Sequence, residues 1–277
     1  MPRTTHFLIL LLCVAIGWFL FWPLPKDTSD FKEISNLNLI AHAGGGLPVG
    51  TYSNAKEAMD LSVQNGFHYI EVDLSVTRNG DIVLLHDWGK TYNQYFTRFP
   101  RLDALISKNT APKLETGEAF STKKMRYDLT PLSLEDFMTW LKETPDVAIV
   151  TDVKGNNYEL LNYIRENYSQ SYNRFIPQIY SFEEYQRVSQ LGYEDIIFTA
   201  YRSGASFEDL NKFAQKNKLH AITIPKSRIR SHVNSLLPGL STPVWVHTVN
   251  NLEEAEYMRR LGVAGLYTDF LIENEEQ

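Results

Sequence analysis

Residues 70–74, with the sequence IEVDL, place two carboxylates inside a run that otherwise has the composition of a buried strand. Successive side chains of a strand point to opposite faces, so Glu71 and Asp73 share one face while Ile70, Val72 and Leu74 point into the packing on the other. Two adjacent like charges at a strand end are costly unless a cation lies between them, and a hard divalent cation with oxygen ligands is the simplest such partner. The stretch therefore predicts a strand that carries a metal-binding pair.

The residues after this strand predict a short hairpin that leads to a histidine. Residues 77–80 (TRNG) have turn chemistry, and residues 81–85 (DIVLL) form a second apolar run that ends at His86. The alternative interpretation is that Glu71 and Asp73 are solvated carboxylates and that His86 is a surface residue, because charges are common at exposed strand ends. The pattern of the remaining chain favours the first interpretation.

Composition predicts a globular chain that does not bind nucleic acid. The 277 residues carry a formal net charge of −6, and 43% of them are hydrophobic, which is enough to bury a sizeable core. The acidic balance, together with the lack of a Lys/Arg-rich stretch with interleaved aromatics, argues against a nucleic-acid partner. The one cysteine is Cys13, in the apolar N-terminal run, so the rest of the chain has neither a thiolate nucleophile nor a zinc–thiolate site.

The N-terminus predicts a single-pass membrane anchor. Residues 7–22 (FLILLLCVAIGWFLFW) are an unbroken apolar run with no small-x-small cleavage signature near its end, which favours an uncleaved signal anchor over a removed signal peptide. The run is at the short end of the about 17 to 25 residues that a spanning helix needs. With Arg3 on the inner side, the rest of the chain is expected on the non-cytoplasmic side, in the periplasm or cell envelope. We expect residues 1–25 to be the anchor, residues 26–36 a linker, and residues 37–277 the folded domain.

Beyond the linker, short β-rich runs alternate with stretches of helical periodicity. Eight candidate strands in about 240 residues fit a closed (β/α)8 TIM barrel better than an open doubly wound sheet. The strands are predicted at residues 37–41, 70–74, 147–150, 175–179, 196–198, 221–224, 244–246 and 264–267. Residues 88–130 follow no clean period, so we expect them to be an insertion after the third strand, counting the hairpin strand.

Chemistry-bearing residues follow many of these strands, and the C-terminal strand ends are where TIM barrels gather their active sites. The residues at these ends are His42, Glu71, Asp73, His86, Asp152, Lys154, Gln178, His247 and Asp269. Carboxylates to hold a cation, histidines to move protons and a lysine to neutralise an anionic oxygen describe metal-assisted attack on a phosphodiester. For Asp269, capping of a following helical turn is the favoured alternative.

The motifs at these positions resemble those of the glycerophosphodiester phosphodiesterase family. The matching stretches are IAHAGG at 40–45, the block from YSNAKE to LLHD at 52–87, TDVKG at 151–155, and the block from HTVNN to LYTD at 247–269. The second block is the most specific, because it joins a helix, a Glu-x-Asp strand, a turn and a terminal histidine. Phosphatidylinositol-specific phospholipases and sphingomyelinases D resemble the same arrangement, which widens the substrate class.

The resemblance implies a role for each site residue. His42 and His86 would be the general acid and base, and Lys154 would contact the phosphate. Gln178 is a further substrate-binding candidate because of its place at a strand end, without support from the resemblance. The implied ligands of a Ca²⁺ or Mg²⁺ ion are Glu71, Asp73 and Asp152.

Four positions depart from the pattern of the family. Ala43 stands where the family has an arginine, so a bidentate phosphate clamp is missing and the backbone at Gly44 or another cation would have to replace it. Ser53 and Asp152 each stand where the family has a glutamate. His247 stands where a tryptophan is usual, which makes it a further substrate-binding candidate.

Three functions remain open on this basis. The first is a membrane-anchored phosphodiesterase for small glycerophosphodiester-like substrates, and the second is a phospholipase of the C or D type that acts on membrane lipids. The third is a non-catalytic envelope binding protein on a degenerate barrel, which the changes at Ala43 and Ser53 would favour.

Overall fold

Eight parallel strands close into a barrel in the computed structural model, which describes residues 32–97, 114–229 and 242–273. The strands of the described ranges are β1 (Lys32–Ile34), β2 (Asn38–Ala41), β3 (Tyr69–Val76), β4 (Ile82–Leu84), β5 (Ala148–Val153), β6 (Phe175–Ile179), β7 (Ile197–Thr199), β8 (Ala221–Pro225), β9 (Val244–His247), β10 (Gly265–Thr268) and β11 (Leu271–Glu273). The helices of these ranges are α1 (Lys56–Gln64), α2 (Lys90–Phe96), α3 (Gly117–Ser121), α4 (Leu134–Glu143), α5 (Asn157–Asn167), α6 (Phe182–Gln190), α7 (Phe207–Lys216) and α8 (Leu252–Arg260).

The barrel strands follow the order β2, β3, β5, β6, β7, β8, β9 and β10, and every neighbouring pair is parallel. Pairing of β10 with β2 brings the last strand beside the first and closes the ring. The predicted TIM barrel is therefore confirmed, and each predicted strand is present with its ends shifted by at most three residues.

The predicted hairpin is also present. Strand β4 pairs antiparallel with the end of β3, with Leu74 opposite Leu84, and therefore lies outside the ring of parallel strands. The described part of the insertion packs against this hairpin, where the rings of Trp88, Tyr92 and Phe120 form a small apolar cluster with Val83. Residues 98–113 of the predicted insertion lie outside the described residues.

The predicted membrane anchor at residues 7–22 also lies outside the described residues. Within the ranges that are described, no helix combines the length and the apolar character that crossing a bilayer requires. Part of the predicted linker is a strand instead, because β1 pairs in parallel with β11 and places Lys32 opposite Leu271.

Alternation along the strands explains where the polar residues of the barrel lie. One ring of buried residues fills the barrel interior, and its members are Ile40, Val150, Ile176, Ile197, Ala221, Trp245 and Tyr267. Two residues further along a strand, a side chain returns to the same face. Position i+2 from Ile40, Val150 and Trp245 is His42, Asp152 and His247, respectively. The strand period therefore carries these polar side chains to the C-terminal mouth of the barrel, directly above an apolar floor.

The helices cover the outer face of the barrel with their apolar stripes. Helix α4 begins after Ser133, whose hydroxyl accepts a hydrogen bond from the Asp136 amide, and buries Phe137 and Leu141 one turn apart. Burial of each such side chain stabilises the fold by about 1.5 to 3 kcal/mol. This outer layer fixes the strands, and through them the spacing of the residues at the mouth.

Candidate active site

Three buried carboxylates meet at the mouth of the barrel. Glu71 and Asp73 lie on β3, and Asp152 on β5 is the register partner of Asp73. One oxygen from each carboxylate lies within 4.8 Å of those of the other two. The structure thus brings together the three residues that the sequence predicted as one group. An all-oxygen set of this size suits Ca²⁺ or Mg²⁺.

A lysine neutralises part of this negative charge. The Lys154 ammonium lies 2.8 Å from Asp73 Oδ1 and 2.6 Å from Asp152 Oδ2, and only 14% of its side chain is exposed. Burial alone raises the pKa of Asp152, but the charge and hydrogen bond of Lys154 and a hydrogen bond from Tyr180 outweigh it and lower that pKa. Asp152 therefore remains ionised.

The third carboxylate lacks such compensation, and this tests whether a cation fits. Burial, followed by the charge of Asp73, raises the pKa of Glu71 to about 8, although the charges of His42 and Lys154 oppose the rise. A dication beside these oxygens would favour the ionised form of Glu71. The burial, oxygen chemistry and excess negative charge of the group all fit a divalent cation.

The loop after β2 orients two of these carboxylates from behind. The Asn54 amide donates to Asp73 Oδ2 at 2.8 Å, and its carbonyl oxygen accepts from the Asp73 backbone N–H at 2.9 Å. The Ala43 N–H donates to Glu71 Oε2 at 2.7 Å. Both Asn54 and Ala43 have positive φ angles, 49° and 51°, so the chain adopts a left-handed conformation at each contact.

Gly44, predicted to approach the substrate, makes its close approach to α1. Its φ is +84°, and a Cβ atom at this position would lie 3.3 Å from the Met59 side chain and 3.5 Å from Asn54 Cα. Its carbonyl oxygen accepts a hydrogen bond from Ser62. Packing of the loop on α1 therefore explains this glycine, and contact with a substrate remains a prediction.

His42 is held by a carboxylate from the opposite end of the chain. Its Nδ1 lies 3.0 Å from Asp269 Oδ1, and the Asn250 amide donates to the other oxygen of Asp269 at 2.6 Å. Burial lowers the pKa of His42, but the hydrogen bond and charge of Asp269, followed by the charges of Glu71 and Asp73, raise it to about 9. His42 is therefore an imidazolium at neutral pH.

The alternative role considered for Asp269, capping of a following turn, belongs to its neighbour instead. The Thr268 hydroxyl oxygen accepts from the N–H groups of Phe270 and Leu271. The register partner of Thr268 is Ala41, so closure of the barrel brings Asp269 beside His42. The strand order of a closed barrel, which joins the last strand to the first, is the signal that predicts this contact.

The second predicted catalytic histidine lies across a tyrosine ring from the first. The Tyr52 ring centroid is 4.5 Å from that of His42 and 5.1 Å from that of His86. His86 Nδ1 lies 3.0 Å from Asp87 Oδ2, and Asp87 also accepts from Gly89 N at 2.8 Å before α2. Both histidines therefore have a carboxylate on Nδ1, which leaves Nε2 for proton transfer.

The two further substrate-binding candidates are in different surroundings. The His247 ring lies 4.8 Å from that of His42, and burial together with the charge of His42 lowers the pKa of His247 to about 3, so the ring is neutral. Gln178 is buried, and its side-chain oxygen accepts the hydroxyl of Thr199 at 2.6 Å. The structure places the His247 ring beside that of His42, and it bonds the Gln178 side chain to Thr199 on the neighbouring barrel strand β7.

Sequence analysis did not single out three residues beside Asp152. The Tyr180 hydroxyl donates to Asp152 Oδ1, and the Tyr201 hydroxyl lies 3.4 Å from Asp152 Oδ2. The Arg202 guanidinium carbon lies 4.6 Å from the Tyr180 ring centroid and 5.2 Å from that of Tyr201. The two tyrosines are the next inward positions after Gln178 and Thr199, so strand alternation was the signal that predicts their position.

Comparisons with known proteins agree with this architecture. The model of the glycerophosphoryl diester phosphodiesterase family matches residues 43–273. An uncharacterized protein of Mycoplasma genitalium is 22% identical over 224 residues, which cover 77% of this chain and 86% of that protein.

Solved structures share the fold. A glycerophosphodiester phosphodiesterase from Thermotoga maritima superposes with a TM-score of 0.60 at 17% identity, over 86% of this chain and 96% of that chain. One from Parabacteroides distasonis superposes with a TM-score of 0.60 at 15% identity, over 85% of this chain and 93% of that chain. These structural similarities show that the chain shares the barrel fold. The match to the family model shows that its sequence also follows the pattern of the family. The resemblance read from the motifs is thereby confirmed: the chain belongs to the glycerophosphoryl diester phosphodiesterase family, whose members are phosphoric diester hydrolases.

Proposed function

We propose that the chain hydrolyses glycerophosphodiester-like substrates with the help of a divalent cation, Ca²⁺ or Mg²⁺, and of two histidines. The observation that carries this proposal is the group of three buried carboxylates, Glu71, Asp73 and Asp152, next to the protonated His42 at the mouth of the barrel. When bound, the cation would supply Lewis-acid polarisation of a phosphoryl oxygen.

The side chains of the mouth have the proton inventory that the reaction needs. The His42 imidazolium can give its Nε2 proton to the leaving alkoxide, because Asp269 holds Nδ1 and raises the pKa to about 9. His86 can then accept a proton at Nε2 from water or from a neighbouring substrate hydroxyl. In-line displacement places the attacking and leaving oxygens on opposite sides of phosphorus, and the Tyr52 ring keeps the two histidines apart as this geometry requires.

The direct test is hydrolysis of glycerophosphodiesters and of a generic aryl phosphodiester by the full chain in detergent. On a glycerophosphodiester, His42→Ala and His86→Ala should each reduce kcat by roughly 10²- to 10⁴-fold, the usual contribution of a general acid or base. The exposed His68 provides the control, and His68→Ala should leave the rate unchanged. Full activity in either site variant would contradict the proposed mechanism.

The aryl substrate separates the roles of the two histidines. A good leaving group needs no proton, so His42→Ala should lose much less activity on the aryl diester than on a glycerophosphodiester if His42 is the general acid. His86→Ala should lose activity equally on both substrates. The opposite pattern would exchange the two roles.

We propose in addition that residues 7–22 anchor the enzyme as a single pass, with the barrel on the non-cytoplasmic side. The length and apolar character of this run support the anchor, and Arg3 supports the orientation. Resistance to alkaline extraction from membranes, and protection of the barrel from protease in intact cells, would be the expected results. Release of the full chain by alkali would contradict the anchor.

A membrane anchor also favours a second substrate class, intact phospholipids. Competition decides between the two classes: a long-chain lipid diester that outcompetes a water-soluble glycerophosphodiester would assign the enzyme to the phospholipase type. No turnover of any diester by a folded, metal-binding chain would leave the non-catalytic binding protein, which the changes at Ala43 and Ser53 favour.

A further inference from the structure

Among the residues that the structure describes, charge balance at the mouth leaves the phosphodiester without a cation of its own. Four buried acidic side chains of the described ranges line this region, namely Glu71, Asp73, Asp152 and Asp269. The Lys154 ammonium, the His42 imidazolium and a bound dication would together neutralise these four charges and leave no excess. The phosphodiester brings a further negative charge, so its binding calls for another cation.

Two carboxylates already share the charge of the Lys154 ammonium and take two of its three N–H donors. It contacts both Asp73 and Asp152, and 14% of its side chain is exposed. Ala43, where the family has an arginine, has no charge and is fully buried. The guanidinium must therefore come from another part of the chain.

Arg202 has the position and the free donors that this role needs. Its guanidinium carbon lies 4.6 Å from the Tyr180 ring centroid and 5.2 Å from that of Tyr201, and the hydroxyls of both tyrosines point at Asp152. The guanidinium is thus one tyrosine ring away from the carboxylate group. It donates no hydrogen bond to any described residue and forms no ion pair with one, so its N–H groups are available to a ligand.

The loop that carries Arg202 is held from both sides. The Arg228 guanidinium donates to the carbonyl oxygens of Ala200 and Ala205, which flank it. Ser206 then begins α7 with a reciprocal capping box to Asp209. The loop therefore has a defined position relative to the mouth, and the guanidinium of Arg202 lies over the rings of Tyr180 and Tyr201.

We propose that Arg202 binds the phosphoryl oxygens of the substrate and supplies the guanidinium that is missing at Ala43. The proposal rests on the proposed function and names a substrate-binding residue for it. A planar guanidinium donates two parallel hydrogen bonds to a phosphate, which an ammonium does not do. The cation–π contacts with Tyr180 and Tyr201 restrict the guanidinium to this side of the mouth, which lowers the entropy cost of binding.

The test compares the full chain with Arg202→Ala and Arg202→Lys. Two quantities are measured: the KM for a glycerophosphodiester, and the calorimetric affinity for glycerol phosphate, the product of the proposed reaction, at saturating Mg²⁺. Loss of a charged hydrogen-bonding partner should raise KM and weaken product binding by roughly 10- to 100-fold in Arg202→Ala. Arg202→Lys keeps the charge but loses the two parallel N–H donors, so its KM and product affinity should lie between those of the wild type and Arg202→Ala.

Arg187 provides a matched control. Arg187 lies in the last turn of α6, and its guanidinium carbon is 4.3 Å from the Tyr158 ring centroid, so it makes the same kind of cation–π contact on the outside of the barrel. Arg187→Ala should leave both quantities unchanged. A second measurement, the affinity for Mg²⁺, should not fall in Arg202→Ala, because Arg202 forms no hydrogen bond with the carboxylates and its positive charge does not favour a cation.

Two results would overturn the proposal. One is an Arg202→Ala variant whose KM and product affinity stay within about twofold of the wild type. The other is a parallel loss of Mg²⁺ affinity, which would mean that Arg202 only positions Asp152 through the tyrosines.

Failure of the proposed function is distinguishable from failure of this proposal. If the wild type hydrolyses no diester, the proposed function fails, and the binding of glycerol phosphate still decides the role of Arg202. Binding that Arg202→Ala abolishes supports the phosphate site, and equal binding by both chains refutes it.

Discussion

Substitution of Lys154 by methionine separates the role of its charge from that of its packing. The ammonium lies 2.8 Å from Asp73 Oδ1 and 2.6 Å from Asp152 Oδ2 in a nearly buried position. Removal of one partner of a buried ion pair costs about 3 to 5 kcal/mol, because the other charge stays buried without compensation. In the presence of a chelator, we expect the unfolding free energy of Lys154→Met to be about 3 kcal/mol lower than that of the wild type. This is the lower end of the range, because a proton shared by the carboxylates would offset part of the lost charge.

Addition of a divalent cation should reverse most of this loss. A ligand that binds only the folded state stabilises it by about 2.7 kcal/mol at one hundred times its dissociation constant. The cation is the only positive group between the carboxylates in the variant, whereas in the wild type it joins an ammonium. Mg²⁺ or Ca²⁺ should therefore stabilise Lys154→Met more than the wild type.

Urea denaturation of both chains, with chelator and with cation, measures these differences. Lys212→Met is the control, because Lys212 forms an ion pair of the same length, 2.6 Å, with Glu208 on the exposed surface of α7. This pair is open to solvent, and its loss should not be measurable. The reasoning is refuted if Lys154→Met and Lys212→Met have the same stability in chelator, or if cations fail to stabilise Lys154→Met.

Three further predictions concern the histidine and the carboxylates. Asp269→Asn should lower kcat by roughly 10²-fold and move the alkaline limb of the pH–rate profile to lower pH, because His42 loses the charge that raises its pKa; an unmoved limb would argue against this coupling. Tyr180→Phe should weaken divalent-cation binding by roughly 10- to 100-fold in calorimetric titrations, because Asp152 loses a hydrogen bond, and an unchanged affinity would refute this role. In chelator, the unfolding free energy should fall by about 3 kcal/mol through His42 as pH rises from about 6.5 to about 9, because the folded state binds this proton more tightly than the unfolded state. Glu71, whose pKa is raised to about 8, adds to this fall in unfolding free energy at pH values below 8. The fall should be smaller in His42→Asn than in the wild type, and an equal fall in denaturation measurements across this pH range would contradict the assignment to His42.

The sequence predicts those parts of the site that depend on local alternation. Glu71 and Asp73 are two residues apart on one strand, so their common face follows from the strand period alone. Asp152 on β5 and Lys154 just after it repeat this spacing beside β3, and their place in the motif order indicated that the four side chains belong together. The Glu-x-Asp block and its hairpin likewise lie within one continuous stretch of chain.

The sequence did not predict contacts between strands that are far apart along the chain. Asp269 bonds His42 only because β10 lies beside β2, and local chemistry favoured a cap at the same position. Strand alternation places Tyr180 and Tyr201 on the inward face, but it does not show that their hydroxyls meet at a carboxylate from a third strand.

Glycine positions illustrate a second limit of the sequence. The backbone at Gly44 was interpreted as a contact to the phosphate, and in the structure the run Gly44 to Gly46 makes room for protein atoms. A Cβ atom on Gly46 would lie 2.4 Å from the Phe270 ring, and one on Gly45 would lie 2.2 Å from the Ser62 hydroxyl. A glycine indicates that something comes close, but its identity depends on the tertiary fold.

The dependence of glycerophosphodiester hydrolysis on a free divalent cation tests the central claim most directly. The rate is measured for the full chain in detergent across a titration of Mg²⁺ and of Ca²⁺, for the wild type and for Glu71→Gln, which keeps the size of the side chain but removes its charge. A buried carboxylate site for a catalytic cation predicts a saturable rise in rate, complete loss in chelator, and a rate at least about 10²-fold lower in Glu71→Gln. An equal rate in chelator, or full activity in Glu71→Gln, would contradict it.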